Sequence, residues 1–388
     1  MLKVIVLSIS FVLLSAMAIN GILPEIRDSL EITQTQSELL VTVPSIATLI
    51  FVILCDAIIS KVGMKKTVIT GLLVAGTGGM MPLLNDTHYI YFLVSRFMFG
   101  AGKGLLFAPS VNYINILFDE KERATLIGYR SAVEMLGQAF LTLIVGGLAI
   151  FSWNFSFVAN VLFFVIAGLV AWKIPEIDIN RNRSGTSFTN DTKIPLIVFI
   201  LSLFAGFIAI SGSMIAIRFP ALAAEIMGEG YNSSIWAATK PLLGILAAAF
   251  FGKLSAALGK KLLYLGMLFL ITSQFMIGFS NGNFIILVIG FLLSSFVLGW
   301  IVPIVISTVS KLTIGKQQRL STTCVLICVN IGLFMMPFIV QGLERIAGSK
   351  KLAAPYPVAG IIVLILLILV IITSNSKSFR AKVGLKNE

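Results

Sequence analysis

The chain has 388 residues, 57% of them hydrophobic and 12% charged, with a formal net charge of +12 and a mean hydropathy of +1.00. A soluble protein carries about 25% charged residues, so the composition excludes a globular cytosolic protein. The basic excess sits in short clusters between apolar runs, a topogenic pattern rather than a nucleic-acid-binding face.

Apolar runs of roughly 18 to 25 residues recur along the chain, each long enough to cross a hydrocarbon core about 30 Å thick. Twelve spans are predicted near 4–23, 38–60, 67–84, 89–117, 124–150, 155–172, 194–217, 233–251, 262–280, 284–310, 320–340 and 357–374. The first mimics a signal peptide, with Lys3, an apolar run and Ala16-Met17-Ala18, but the run continues to Leu23 and is read as an uncleaved span. The longest polar interval, 173–193, divides the spans six and six. It predicts an N-terminal six-helix bundle at 1–172, a cytoplasmic linker at 173–193, a C-terminal bundle at 194–374 and a cytoplasmic tail at 375–388.

With the N-terminus inside, twenty Lys and Arg fall on the inner side and five, Arg218 among them, on the outer side. That bias predicts both termini on the cytoplasmic side, and the protein is expected in the plasma membrane. Two inner loops also echo each other 196 positions apart. Gly63 and Lys65 fall on Gly259 and Lys261, and 120–123 falls on 316–319 at the same offset. A fixed offset of half the chain predicts two halves built on one plan. Cys55, Cys324 and Cys328 lie in or at the ends of apolar segments and suggest neither a disulfide framework nor a zinc pattern. His88 is the single histidine, no metal-ligand spacing is visible, and no phosphate-cradling glycine loop joins a strand to a helix. No cofactor and no ATP-driven chemistry are expected.

Twelve spans, a central linker and paired loops between spans 2–3 and 8–9 resemble the major facilitator superfamily of secondary transporters. Gly252, Gly259, Lys260 and Lys261 match the family's loop signature, and Lys61, Gly63 and Lys65 keep part of it in the first half. Asp56 stands at the first glycine position, Ser60 and Ala256 at the acidic one, so the charged latch of many members is altered. Span 4 carries a second signature, Arg96 followed by Gly100, Gly102 and Gly104. The glycine- and proline-rich stretch of span 5 is poorly met, with Gly137, Gly146 and Gly147 present but Leu143 where proline stands in antiporters. The acid-free first span and Leu23-Pro24-Glu25-Ile26 loosely resemble cyanate-permease-type porters. The resemblance implies an all-helical fold of two six-helix halves, a midplane substrate site, and alternating access by rocking. It also turns the polar stripes of spans 4, 5 and 8 inward.

Charge inside a bilayer costs at least about 2.5–3.5 kcal/mol at a helix centre, so intramembrane charges are functional candidates. Arg96 and Lys103 lie seven apart on one face of span 4, and Arg130, Glu134 and Gln138 form a stripe on span 5. Lys240 shares a face of span 8 with Trp236 and Gly244. Asn20 in span 1, Trp300 in span 10 and Asn330, the repeat counterpart of Glu134, complete the candidate cavity. Glu134 reads either as the neutraliser of Arg130 or as a proton-titrating group. It is taken as the lone membrane acid. The excess of positive charge favours an anionic or carboxylate-bearing small molecule. The leading reading is a proton-coupled, monomeric transporter in the lipid bilayer. An efflux pump for drugs or metabolites is the alternative, and a polytopic membrane enzyme a remote one.

Overall fold

Apolar segments in hydrocarbon must satisfy their backbone N–H and C=O groups internally, which leaves the helix as the only open-chain solution. The computed structural model describes residues 1–84, 87–177, 194–228, 230–259, 261–313 and 316–375. Fourteen α-helices carry the fold among them. They are α1 (Leu2–Phe11), α2 (Leu23–Ser29), α3 (Gln34–Val62), α4 (Met64–Met80), α5 (Tyr89–Leu117), α6 (Glu120–Ala149) and α7 (Val161–Lys173), then α8 (Leu196–Met227), α9 (Ser234–Leu258), α10 (Lys261–Gly278), α11 (Phe284–Leu293), α12 (Ser295–Leu312), α13 (Lys316–Ala347) and α14 (Pro355–Asn375). Most of the predicted linker (178–193), almost all of the tail (376–388) and Lys260 lie outside the described residues.

Each of the twelve predicted stretches is helical, but the count of full spans is lower. Ten helices or helix runs are long and apolar enough to cross a membrane, and eleven if one bent pair counts as a span. The bent pair is the predicted first span, where Leu2–Phe11 and Ser15–Ser29 meet at 48°. At the bend the Ser15 hydroxyl donates back to the Val12 carbonyl, and Ser15–Ile22 winds as a tighter 3-10 turn. The predicted third span gives α4, only 17 residues long, followed by the short turn Met81–Leu83. The predicted tenth span is interrupted at Ser294, whose hydroxyl donates to the Phe291 carbonyl at 2.6 Å, and still counts as one run, Phe284–Val309.

Helix ends follow from sequence. Thr33 caps α3 by accepting from the Gln36 N–H at 3.3 Å, while the Gln36 side chain accepts from the Thr33 N–H at 2.8 Å, a reciprocal box. Gly63 ends α3 at φ +92° and Gly259 ends α9 at φ +52°. Both loop glycines of the echoed pair therefore adopt the left-handed backbone that side chains disfavour. Arg123 donates to the Asn115 carbonyl at 2.7 Å and so caps the C-terminal end of α5.

The chain divides into two compact units, Met1–Asn190 with Gly228–Leu242, and Asp191–Met227 with Leu243–Glu388. In the first, α5 lies against both α3 and α4. A Cβ at Gly104 would meet Phe51 Cβ and the Thr48 carbonyl oxygen of α3, each at 2.7 Å. One at Gly102 would strike the backbone of Gly71 and Ala75 in α4. Thr48 Oγ1 donates to the Gly100 carbonyl at 3.0 Å. Small residues let the backbones approach this closely, which is how helices associate in lipid.

The second unit repeats these contacts at an offset of 195 to 196. A Cβ at Gly299 in α12 would meet Ala247 Cβ at 2.8 Å and the Gly244 carbonyl at 3.5 Å in α9. Those three positions correspond to Gly104, Phe51 and Thr48. Ser95 of α5 donates to the Gly78 carbonyl of α4 at 2.6 Å, and Ser273 of α10 to the Gly290 carbonyl of α11 at 2.6 Å. The corresponding positions are bonded, with donor and acceptor exchanged between the helices. The internal repeat is thus a repeat of three-dimensional contacts.

Gly102 and Gly147 make a matched test of this packing, because a methyl at Gly147 would meet nothing within 4 Å. Gly102→Ala should destabilise the purified protein by about 1–3 kcal/mol through overpacking. Gly147→Ala should leave stability unchanged or raise it by up to about 1 kcal/mol. Thermal melting of the two variants side by side checks both.

Candidate functional site

The glycine face of α5 is held against its neighbours, and the same helix carries the two cations singled out by sequence. Arg96 is 1% exposed and Lys103 8% exposed. The Arg96 guanidinium lies 4.8 Å from the centre of the Phe99 ring and 5.9 Å from that of Phe157. Its Nε and Nη1 have no hydrogen-bond partner among the described residues. The Lys103 ammonium lies 5.8 Å from the centre of the same Phe99 ring, so one aromatic ring is shared by both cations. Lys103 makes no hydrogen bond or ion pair among the described residues, yet stands close enough to Arg96 and Glu134 to interact with both charges.

The stripe on α6 forms as expected. Arg130 Nη2 is 2.8 Å from Glu134 Oε1, and both side chains are almost buried. Arg130 Nε donates to Ser110 Oγ of α5 at 3.1 Å, and its guanidinium lies 5.3 Å from the Phe107 ring centre. Ser110 was not among the sequence candidates, although it sits seven positions beyond Lys103 on the same helical face. Gln138 is half-buried one turn beyond Glu134. The cluster on α5 and α6 therefore holds three cations, Arg96, Lys103 and Arg130, against one carboxylate, Glu134.

The remaining candidates are distributed. Asn20 is buried in the first unit and donates to Met17 Sδ at 3.6 Å. Lys240 is 9% exposed and belongs to the first unit through the segment Gly228–Leu242. That segment is fixed by Asn232, which donates to the Gly146 carbonyl at 2.7 Å, and by Ser233, which donates to the Gly21 carbonyl at 3.4 Å. In the second unit, Asn330 turns its amide back to the Leu326 carbonyl of its own helix at 2.9 Å. Trp300 is buried between Phe269 and Phe296 and donates to the Ala247 carbonyl at 3.1 Å. In the echoed loops, Asp56, Lys61, Gly252 and Lys261 are exposed and Lys65 is half-buried.

Sequence reasoning misplaced one buried charge and passed over another. Arg218, expected in an outer loop, lies inside α8 at 1% exposure and pairs with Glu344 of α13 at 2.6 Å. Glu134 is not the lone membrane acid. Glu38 is fully buried in the first turns of α3, accepting from Gln34 Nε2 at 2.9 Å, and Gln34 in turn accepts from Arg27 at 3.1 Å. The polar spacing of Gln34, Glu38 and Thr42 on one helical face was the available signal.

Residues 5–313 match the Major Facilitator Superfamily. The chain is 28% identical over 282 residues to the hexuronate transporter of Bacillus subtilis (strain 168), an alignment covering 66% of this chain and 66% of that protein, just under two thirds of its length. Its fold is similar to that of the xylose transporter XylE from E. coli, with a TM-score of 0.74, 12% identity and 95% of each chain covered. It is also similar to the nucleoside transporter NupG, with a TM-score of 0.76, 11% identity and coverage of 96% of this chain and 98% of that one. A family match over most of the chain, apolar helices of spanning length and paired glycine contacts lead to one conclusion: the chain belongs to the Major Facilitator Superfamily, and is an integral membrane transporter rather than an enzyme.

Proposed function

We propose that this protein moves a small organic anion bearing a carboxylate by alternating access, coupled to protons, with Lys103 as the anchor for the anion and Glu134 as the proton-titrating group. The observation that carries this reading is the Lys103 ammonium, buried at 8% exposure beside Arg96 and Glu134 and holding no carboxylate of its own. A buried charge is stable only when paired, and a cavity of net positive sign attracts anions. The similarity to a hexuronate transporter points the same way, because a hexuronate carries one carboxylate on a hydroxylated ring. Hexuronates are therefore the first substrates to test. Small residues at the helix contacts suit sliding of packed helices during the cycle.

Uptake of radiolabelled hexuronates and simpler carboxylates into proteoliposomes, under an imposed pH gradient, tests the reading directly. Absence of anion uptake or counterflow, together with extrusion of a lipophilic cation, would overturn it in favour of drug efflux. Lys103→Ala should weaken anion transport about 10- to 150-fold, the loss of one charged hydrogen bond, while expression and monodispersity persist. Retained transport would reduce Lys103 to a packing role.

Glu134→Gln separates coupling from binding. If Glu134 carries the proton, the variant should exchange labelled for unlabelled substrate at a rate independent of pH, and should no longer accumulate substrate against a gradient. Persisting accumulation would assign the proton elsewhere.

The reading also takes the protein as a plasma-membrane monomer with both termini cytoplasmic, the orientation being supported by the distribution of Lys and Arg. Fused to the C-terminus, green fluorescent protein should fluoresce and alkaline phosphatase should stay inactive. The reverse pattern would invert the topology.

A further inference from the structure

Two of the three cysteines stand together on one helix. Cys324 and Cys328 lie four positions apart on α13, both half-buried and both free thiols. Cys55, by contrast, is fully buried and donates to the Leu105 carbonyl at 3.7 Å, alone in the first unit. Residues four apart on a helix keep their Cβ atoms about 5–6 Å apart, whereas a disulfide needs about 3.5–4.5 Å. The helix therefore opposes direct oxidation of the pair, and both sulfurs remain available as donors. The gap that is too wide for a sulfur–sulfur bond accommodates one additional atom between the thiols, and soft sulfur donors select soft, thiophilic centres.

We infer that Cys324 and Cys328 form a chelating dithiol site on α13 for a thiophilic centre, such as a trivalent arsenical, bound through both sulfurs at once. With an organoarsine oxide the arsenic–oxygen bond breaks and two arsenic–sulfur bonds form. The oxygen leaves as water with both thiol protons, and arsenic remains trivalent throughout. The site sits beside the close contact of α8 and α13. A Cβ at Gly206 would meet the Cys328 carbonyl oxygen at 2.7 Å and Cys328 Cβ at 3.5 Å, and one at Gly332 would meet the Gly206 carbonyl at 2.6 Å. The inference is independent of which solute is carried, since it uses neither Lys103 nor Glu134.

Phenylarsine oxide is the probe, chosen because it is apolar enough to reach a residue within a membrane helix. Titrated into the purified full-length protein and followed by intact mass, it should add one phenylarsenic unit that resists 2-mercaptoethanol and is released by 2,3-dimercaptopropanol. Closure of the second arsenic–sulfur bond is intramolecular, and such linkage raises apparent affinity by about 10²- to 10⁴-fold. Cys324→Ser and Cys328→Ser should each raise the half-labelling concentration by at least about 10²-fold on that basis and leave an adduct that 2-mercaptoethanol strips. Cys55→Ser should change nothing. Alanine in place of serine at both positions, with thermal melting of each variant, separates loss of the site from loss of the fold. Tight labelling that survives in either single-thiol variant, or a wild-type adduct stripped by 2-mercaptoethanol, would overturn the inference.

Discussion

The contact on which most of this structure depends is the one made without side chains, where α5 meets α3 and α4. Lipid tails are as apolar as leucine, so burial of apolar surface gives helices in a bilayer little reason to associate, and close packing and hydrogen bonds must do so. Gly100 and Gly104 bring α5 against the backbone of α3, and Gly102 brings it against α4. The Thr48 hydroxyl adds a hydrogen bond to the Gly100 carbonyl. A helix held that closely on one side has its orientation fixed, and the positions of Arg96 and Lys103 follow from it. The glycines and the cations of span 4 are therefore one device: the first set the helix and the second use the setting.

The repeat separates scaffold from chemistry. Gly104 and Gly299 make corresponding contacts, and the serine–carbonyl bonds of α4–α5 and α10–α11 fall at corresponding positions. The buried charges do not repeat. At an offset of 195, Arg96 and Lys103 correspond to Phe291 and Leu298. At 196, Glu134 corresponds to Asn330, while Arg218 and Glu344 correspond to Ile22 and Leu148. Phe291 stacks on Phe219 at 3.9 Å, an apolar contact at the position where the first unit holds a guanidinium over an aromatic ring. Packing constraints act on both units alike, because both must associate in lipid, whereas a buried charge has to be justified one site at a time.

What sequence could and could not reveal follows the same division. Apolar length located all twelve helical stretches, and the 196-residue offset paired Gly63 with Gly259, the two loop glycines that prove to be left-handed. Both rest on regularities along the chain, which a sequence displays directly. Arg218 was assigned to a loop because an apolar window ends where a charge appears, and the partner that allows its burial lies 126 positions away on another helix. Glu38 was passed over for the same reason, at the edge of a window and with its hydrogen bond supplied by Gln34. The breaks in the first and tenth spans were equally hidden. Ser15 and Ser294 return their hydroxyls to the carbonyl three residues earlier, as Ser8, Ser110 and Ser213 do inside unbroken helices, so residue type alone marks no break.

Under the proposed reading, the α5–α6 cluster also supplies a physical reason for coupling. Arg130 is an obligate cation, held by Ser110 and the face of Phe107 whatever the state of its neighbour. Protonating Glu134 removes the one carboxylate that balances it and raises the positive charge beside Lys103 by one. An anion arriving then restores the balance that the proton removed. Each ligand improves the site for the other, and such linkage is reciprocal by thermodynamic necessity. Substrate and proton would then enter together as a neutral pair, and release of either on the far side would weaken the hold on the other. The direction of net flux would follow from the two gradients rather than from any asymmetry in the cluster itself.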